Sequence, residues 1–308
     1  MAAVPGRFEA RTGVVTSGVE QRGALRALAV PSDAKGLRQL AGHVALLMAT
    51  GWLIWMAYGS LWLGPALLAH GIVLVFLFAP LHEGVHRTAF RSRWLNDLVA
   101  WLCGAVLILP PTYFRAFHFA HHRFTQDPAR DPELASPKPA TLRAYLWHLT
   151  GLPYWSERIA TTIRHARGRV EEPFVSVTLR PRLMREARLL LAVYGLIALA
   201  SLALASPAAL LLWVAPALLG QPFLRAYLLA EHTGCPLVPD MLRNSRTIHS
   251  LALVRRLAWN MPYHAEHHAH PAIPFHALPQ AHALLAERIE HQAPGYVAVN
   301  REIVARLH

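Results

Sequence analysis

The 308-residue sequence predicts an all-α integral membrane protein: four transmembrane helices in two hairpins, a re-entrant or interfacial helix, and a cytoplasmic helical cap. Residues 39–82 contain no Asp, Glu, Lys or Arg, and residues 189–224 contain none either. A bilayer core about 30 Å thick takes roughly 20 apolar residues per helical crossing, so each block can make two passes. Each block also breaks near its middle, at Gly59-Ser60 and Gly64-Pro65 in the first and at Ser206-Pro207 in the second. The competing reading is a large soluble helical core. It is disfavoured because buried helices of soluble proteins rarely run so far without a polar face.

In order along the chain, residues 1–38 form a basic N-terminal arm containing Arg7, Arg11, Arg22, Arg26, Lys35 and Arg38. The first hairpin pairs helices over 43–63 and 65–81, and the second pairs 189–205 with 208–229. Between them, 98–109 is a shorter apolar stretch, preceded by Asp97 and followed by Pro110-Pro111. It reads as re-entrant or interfacial, because a full crossing would put the histidines on its two sides in opposite compartments. Residues 283–308 form a C-terminal tail.

Charge sets the orientation. The net charge is +12, although only 16% of residues are charged. The basic residues crowd into the arm and the central segment from Thr112 to Arg188, while the two hairpin tips have none. The positive-inside rule places both termini and the central loop in the cytoplasm, and anionic lipid accounts for the basicity. Nucleic-acid binding, the other explanation for a basic chain, would need a basic domain apart from the membrane segments, and none stands out. Cys103 and Cys235 make neither a disulfide framework nor a C-x-x-C site. The N-terminus lacks the short apolar core of a cleaved signal peptide.

The 19 histidines are concentrated. His82 and His86 end the second helix; His118, His121 and His122 form one H-x-x-H-H run, and His264, His267 and His268 another. Residues at i, i+3 and i+4 share a helix face, so these are combs of two, three and three imidazoles. Neutral imidazole ligates iron, zinc and copper well. The combs offer too many donors for one ion of ordinary coordination number and suit two metals close together. His232, at the cytoplasmic exit of the fourth helix, is a ninth candidate. His43, His70, His148, His165, His270, His276 and His282 read as ordinary polar groups, and Asp127 and Asp131 as loop formers.

The run His82-Glu83-Gly84-Val85-His86 also fits the H-E-x-x-H signature of zinc metalloproteases, in which the Glu is the general base. Such a site needs one further protein ligand and has no use for two more combs.

H-x-x-x-H, then H-x-x-H-H about thirty residues on, then a late H-x-x-H-H, resembles the membrane fatty acid desaturase superfamily of histidine-box di-iron desaturases and hydroxylases. The segment from Trp259-Asn260-Met261-Pro262-Tyr263 through His268, with Pro271, Pro274 and Pro279, is similar to its third box. The match covers roughly 81–282 and the hairpins, so 39–282 reads as a membrane desaturase-like domain. The resemblance implies two non-haem iron ions at the cytoplasmic face, held by His82, His86, His118, His121, His122, His264, His267 and His268, with His232 as an extra ligand. It implies dioxygen as co-substrate and a lipid acyl chain as substrate. Glu83, Glu231 and Glu266 sit beside ligands and are candidates to orient imidazoles, a role that metal-bound histidine requires. Trp94, Trp101, Tyr113, Phe114, Phe117 and Phe119 are candidates to line an apolar tunnel.

His270-Pro271 is followed by Ala272, so no His-Pro-Gly-Gly haem signature marks a fused cytochrome domain. Electrons are expected from an external ferredoxin or cytochrome b5-like donor. A hydroxylase or ketolase of a carotenoid, alkane or other apolar substrate shares the same boxes and remains the alternative. The Ala/Leu/Arg-rich composition suits a bacterial inner membrane.

Overall fold

A computed structural model describes residues 18–308, so the first 17 residues of the arm, with Arg7 and Arg11, lie outside the described residues. The described residues are mainly helical. The first part contains α1 (Gly18–Leu28), α2 (Asp33–Ala57), α3 (Leu63–Val75), α4 (Phe78–His86), α5 (Arg93–Val106) and α6 (Pro111–Phe124). Then follow α7 (Leu142–Leu149), α8 (Leu152–Ala166), α9 (Arg180–Ala203) and α10 (Ala215–His232). The remainder is short: α11 (Met241–Asn244), α12 (Ala252–Leu257), α13 (His264–Ala269), α14 (Leu278–Leu285) and α15 (Tyr296–Ala305).

Among the described residues, three helical stretches are long and apolar enough to cross a membrane: Asp33–Ala57, Leu63–His86 and Val177–Ala203. The first starts where Ser32 caps the Lys35 amide and ends before a turn at Gly59, whose φ is +77°. The fourth expected crossing, 208–229, differs from the other three. A π-helical turn at Leu210–Val214 precedes α10, which contains Pro222 and carries Arg225 and Glu231.

The stretch 98–109 is half of a bent pair. α5 and α6 meet at 99°, and Ile108 takes a left-handed φ of +52° at the corner. At 1.5 Å per residue the 14-residue α5 is about 21 Å long, short of a bilayer core. A helix that stops inside apolar surroundings needs partners for its last carbonyls. Here Tyr194 donates to the Ala105 carbonyl at 2.6 Å, Trp213 to Val106 at 2.8 Å and Tyr154 to Leu107 at 2.9 Å. The end of α5 is thus capped by side chains from three other segments.

Glycines set the closest helix approach. A Cβ on Gly220 would lie 2.1 Å from the Gly71 carbonyl oxygen, so α3 and α10 cross backbone to backbone. Two histidines read as ordinary polar groups are buried ties: His43 Nε2 meets the Val73 carbonyl at 2.9 Å, and His70 bridges Thr50 and the Leu212 carbonyl at 2.8 and 3.1 Å. Their hydrogen bonds connect α2, α3 and the segment before α10.

The tail beyond residue 282 is built into the fold. Residues 291–293 pair in parallel with 246–248, Arg246 opposite His291. Val299 and Ile303 of α15 are buried with Leu229 and Ala230 of α10, and Asn300 donates to the Ala226 carbonyl at 3.1 Å.

Candidate metal centre

The three combs lie on α4, α6 and α13, and His232 closes α10. Packing of these four elements brings all nine imidazoles together. His82, His86, His118, His122 and His267 place ligand nitrogens within 4.8 Å of one another, and so do His121, His232 and His268. His264 joins the second group through His232, Nε2 to Nε2 at 2.9 Å. The two groups abut: the His122 and His268 rings stack with centroids 4.1 Å apart.

Hydrogen bonding fixes two of these rings and shows what the remaining nitrogens suit. His121 Nδ1 lies 2.9 Å from Asp131 Oδ1 and 3.2 Å from Glu133 Oε2, so this nitrogen carries the proton. His232 Nδ1 likewise donates to the Asn244 carbonyl at 3.1 Å. In the neutral rings both Nε2 atoms then present lone pairs, yet they face each other at 3.2 Å. Two lone pairs at that distance repel unless a proton or a metal ion lies between them. His122 Nε2 repeats the pattern, 3.0 Å from His118 Nε2 and 3.1 Å from His267 Nε2. Buried ring nitrogens of His82, His86, His122, His264, His267 and His268 have no hydrogen-bond partner. A buried polar atom without a partner is costly. The donor set therefore fits metal ions, and neutral imidazole is the form that ligates.

Electrostatics agree with that form. Burial pushes His264, His267 and His268 well below the usual imidazole range. His121 is the exception. Burial alone would lower it, but Glu133 and Asp131 raise it above its ordinary value. A carboxylate on the far nitrogen makes an imidazole a better ligand.

The three expected carboxylates diverge. Glu231 Oε1 faces His264 Nδ1 at 3.4 Å. Glu83 instead accepts from Thr88 Oγ1 at 2.9 Å and the Phe275 amide at 3.1 Å, neither of them an imidazole. Glu266 accepts from Thr247 at 2.6 Å and contacts His282, which lies outside the combs. Asp131, read from sequence as a loop former, and Glu133 hold the comb imidazole. The available signal was the acidic D-P-x-x-D-P-E run directly after the second comb. Thr125, 3.2 Å from His268 Nδ1, and Gln126, which donates to the His232 carbonyl at 2.9 Å, were also missed.

A cavity of about 1510 Å3 reaches His82, His118, His121 and His264. Trp101, Tyr113, Phe114, Phe117 and Phe119 are on its wall as expected. Trp94 is not; it is 65% exposed on the outer face of α5 with Leu98 and Leu102.

The family model described as fatty acid desaturase matches residues 57–300. The chain belongs to the fatty acid desaturase family. An sn-1 oleoyl-lipid 12-desaturase of Picosynechococcus sp. is 30% identical over 121 residues, covering 37% of this chain and 33% of that protein. The enzyme of the same description from Synechocystis sp. is 35% identical over 92 residues, 28% of this chain and 26% of that one. The matched segments thus cover a third or less of these relatives. The desaturase family match runs past the third comb into α15, consistent with a tail packed against α10. Membership makes the chain an oxidoreductase of the membrane desaturase type, with histidine groups able to hold metal.

Proposed function

We propose that the protein is a dioxygen-dependent di-iron membrane oxidase that introduces a double bond into a lipid acyl chain. The observation that carries this reading is the convergence of nine imidazoles from four elements, four of them lining a cavity whose wall includes Trp101, Tyr113, Phe114, Phe117 and Phe119. His82, His86, His118, His122 and His267 would hold one iron; His121, His232, His264 and His268 would hold the other. When bound, such a pair supplies the oxidising power to take hydrogens from an unactivated alkyl chain.

The chain's own residues position and exclude. Asp131 and Glu133 retain the proton at His121 Nδ1, and the Asn244 carbonyl retains the one at His232 Nδ1, so each Nε2 lone pair points inward. Glu231 approaches His264 Nδ1 at 3.4 Å without a hydrogen bond. Phe114 stacks on His118 with centroids 5.2 Å apart, placing hydrocarbon directly against the imidazoles. An apolar chain on this wall is held near the centre and displaces water.

The proposed topology has four crossings, with α10 and its preceding turn as the fourth. In it α5 is re-entrant, and the combs and both termini lie in the cytoplasm of a bacterial cell. Two observations support it: the side-chain-capped end of α5, and the grouping of α6 and α13 combs in one centre. Electrons would come from an external ferredoxin or cytochrome b5-like protein. The hydrogen bonds that Glu83 accepts from Thr88 and the Phe275 amide support a structural role for it over that of a protease base.

The deciding experiment is lipid analysis after expression in a host lacking the activity, with iron supplied. New double bonds support the proposal. A gain of one oxygen atom instead assigns the hydroxylase or ketolase chemistry, and one zinc per chain with peptide cleavage would overturn the assignment.

A further inference from the structure

The cavity is not apolar throughout. Where α8 and α10 form its wall it is lined by Arg158, Arg225 and Tyr154. Arg225 is seven residues before His232 on α10, about 10 Å along the axis, within the proposed fourth crossing. Its guanidinium carbon lies 4.4 Å from the Tyr154 ring centre. Its Nε is buried without a partner, and among the described residues no carboxylate forms an ion pair with it. Glu133 and Glu231 also line the cavity, and each is turned to an imidazole, His121 and His264 respectively. Arg158 is 8% exposed, with its guanidinium carbon 5.0 Å from the Tyr113 ring centre. Its carboxylate partner among the described residues, Glu157, is 61% exposed and lines the same cavity.

Orientation in the membrane explains arginines in cytoplasmic loops. It does not explain one inside a crossing that lines a cavity together with a second arginine. Buried charges are costly unless paired. A planar guanidinium held against an aromatic face is preorganised for two-point bonding to phosphate or carboxylate. We propose that Arg158 and Arg225 seat a phosphate or carboxylate at the head of the substrate, so that the protein takes an anionic amphiphile and not an uncharged hydrocarbon. This rests on the reading of the cavity as the acyl site.

The test is binding to the purified full chain in an uncharged maltoside detergent, read by tryptophan fluorescence. The probes are dioleoyl phosphatidic acid, oleoyl-coenzyme A, oleate and uncharged oleyl alcohol. At least one anionic probe should bind about tenfold or more tightly than the alcohol, the scale of a charged hydrogen bond. Arg225→Gln should erase that preference while still binding the alcohol, and Arg225→Lys should retain part of it. The preferred probe distinguishes a membrane phospholipid, a soluble phosphorylated carrier and a free carboxylate. Equal affinity for all four probes would overturn the proposal, as would an intact preference in Arg225→Gln. If that variant also loses the alcohol and so has not folded, Arg158→Gln makes the same test from α8. Binding is read without turnover, so a protein found to hydroxylate, or to hold zinc, leaves this inference standing. Desaturation without any preference for charge sinks this inference alone.

Discussion

Asp131 Oδ1 lies 2.9 Å from His121 Nδ1, and both side chains are almost wholly buried. The same carboxylate accepts from the Gln126 amide at 2.8 Å and the Glu133 amide at 2.9 Å. Asp131 is thus fixed from the loop and fixes the imidazole in turn. Asp131→Asn should weaken retention of one metal about 10- to 100-fold, the usual cost of losing a partner behind a ligand. Metal content after graded chelation checks this, and a full complement held as tightly as in the parent protein would contradict it.

His121→Ala and His267→Ala remove one donor from each group. Each should abolish turnover while membrane insertion and yield stay unchanged. Full activity in either variant would count against the ligand assignment.

Glu83 separates two chemistries. As a strut it satisfies Thr88 and the Phe275 amide. Glu83→Ala should cost about 1–3 kcal/mol of stability by stranding a buried amide, and Glu83→Gln, which keeps an acceptor, should cost less. Metal content should be unchanged in both. Thermal unfolding and metal analysis together decide, and loss of metal at unchanged stability would return Glu83 to the centre.

Acid should destabilise the metal-free protein. Burial holds His264, His267 and His268 well below their ordinary 6.5. Just below 6.5 the unfolded chain therefore binds more protons than the folded one. The stability that these groups support is present above 6.5 and lost as pH falls below it. The unfolding temperature of chelator-treated protein should drop between about pH 8 and about pH 5.5. A flat profile without metal would contradict this.

Sidedness tests the path of the chain. Single cysteines introduced beside His122 and His268 should react with a membrane-impermeant reagent from the cytoplasmic side only. Labelling of the two from opposite sides would make α5 a crossing and end the re-entrant reading.

The combs were legible in the sequence because their geometry is local. Spacings of three and four residues align imidazoles on one helix face whatever the helix packs against. The same holds for the charge-free blocks, since length and polarity alone decide whether a segment suits a bilayer. The carboxylates were not legible in this way. Glu83, Glu231 and Glu266 each adjoin a histidine in sequence, yet only Glu231 faces a comb imidazole, because adjacent helical residues point about 100° apart. The partners of His121 came from a loop folded back ten residues later, and that of His232 from the Asn244 backbone. Periodicity determined which imidazoles share a face and which segments are apolar. Packing between segments decided where α5 stops, which acids serve the centre and which arginines line the cavity, since such contacts depend on where separate elements meet.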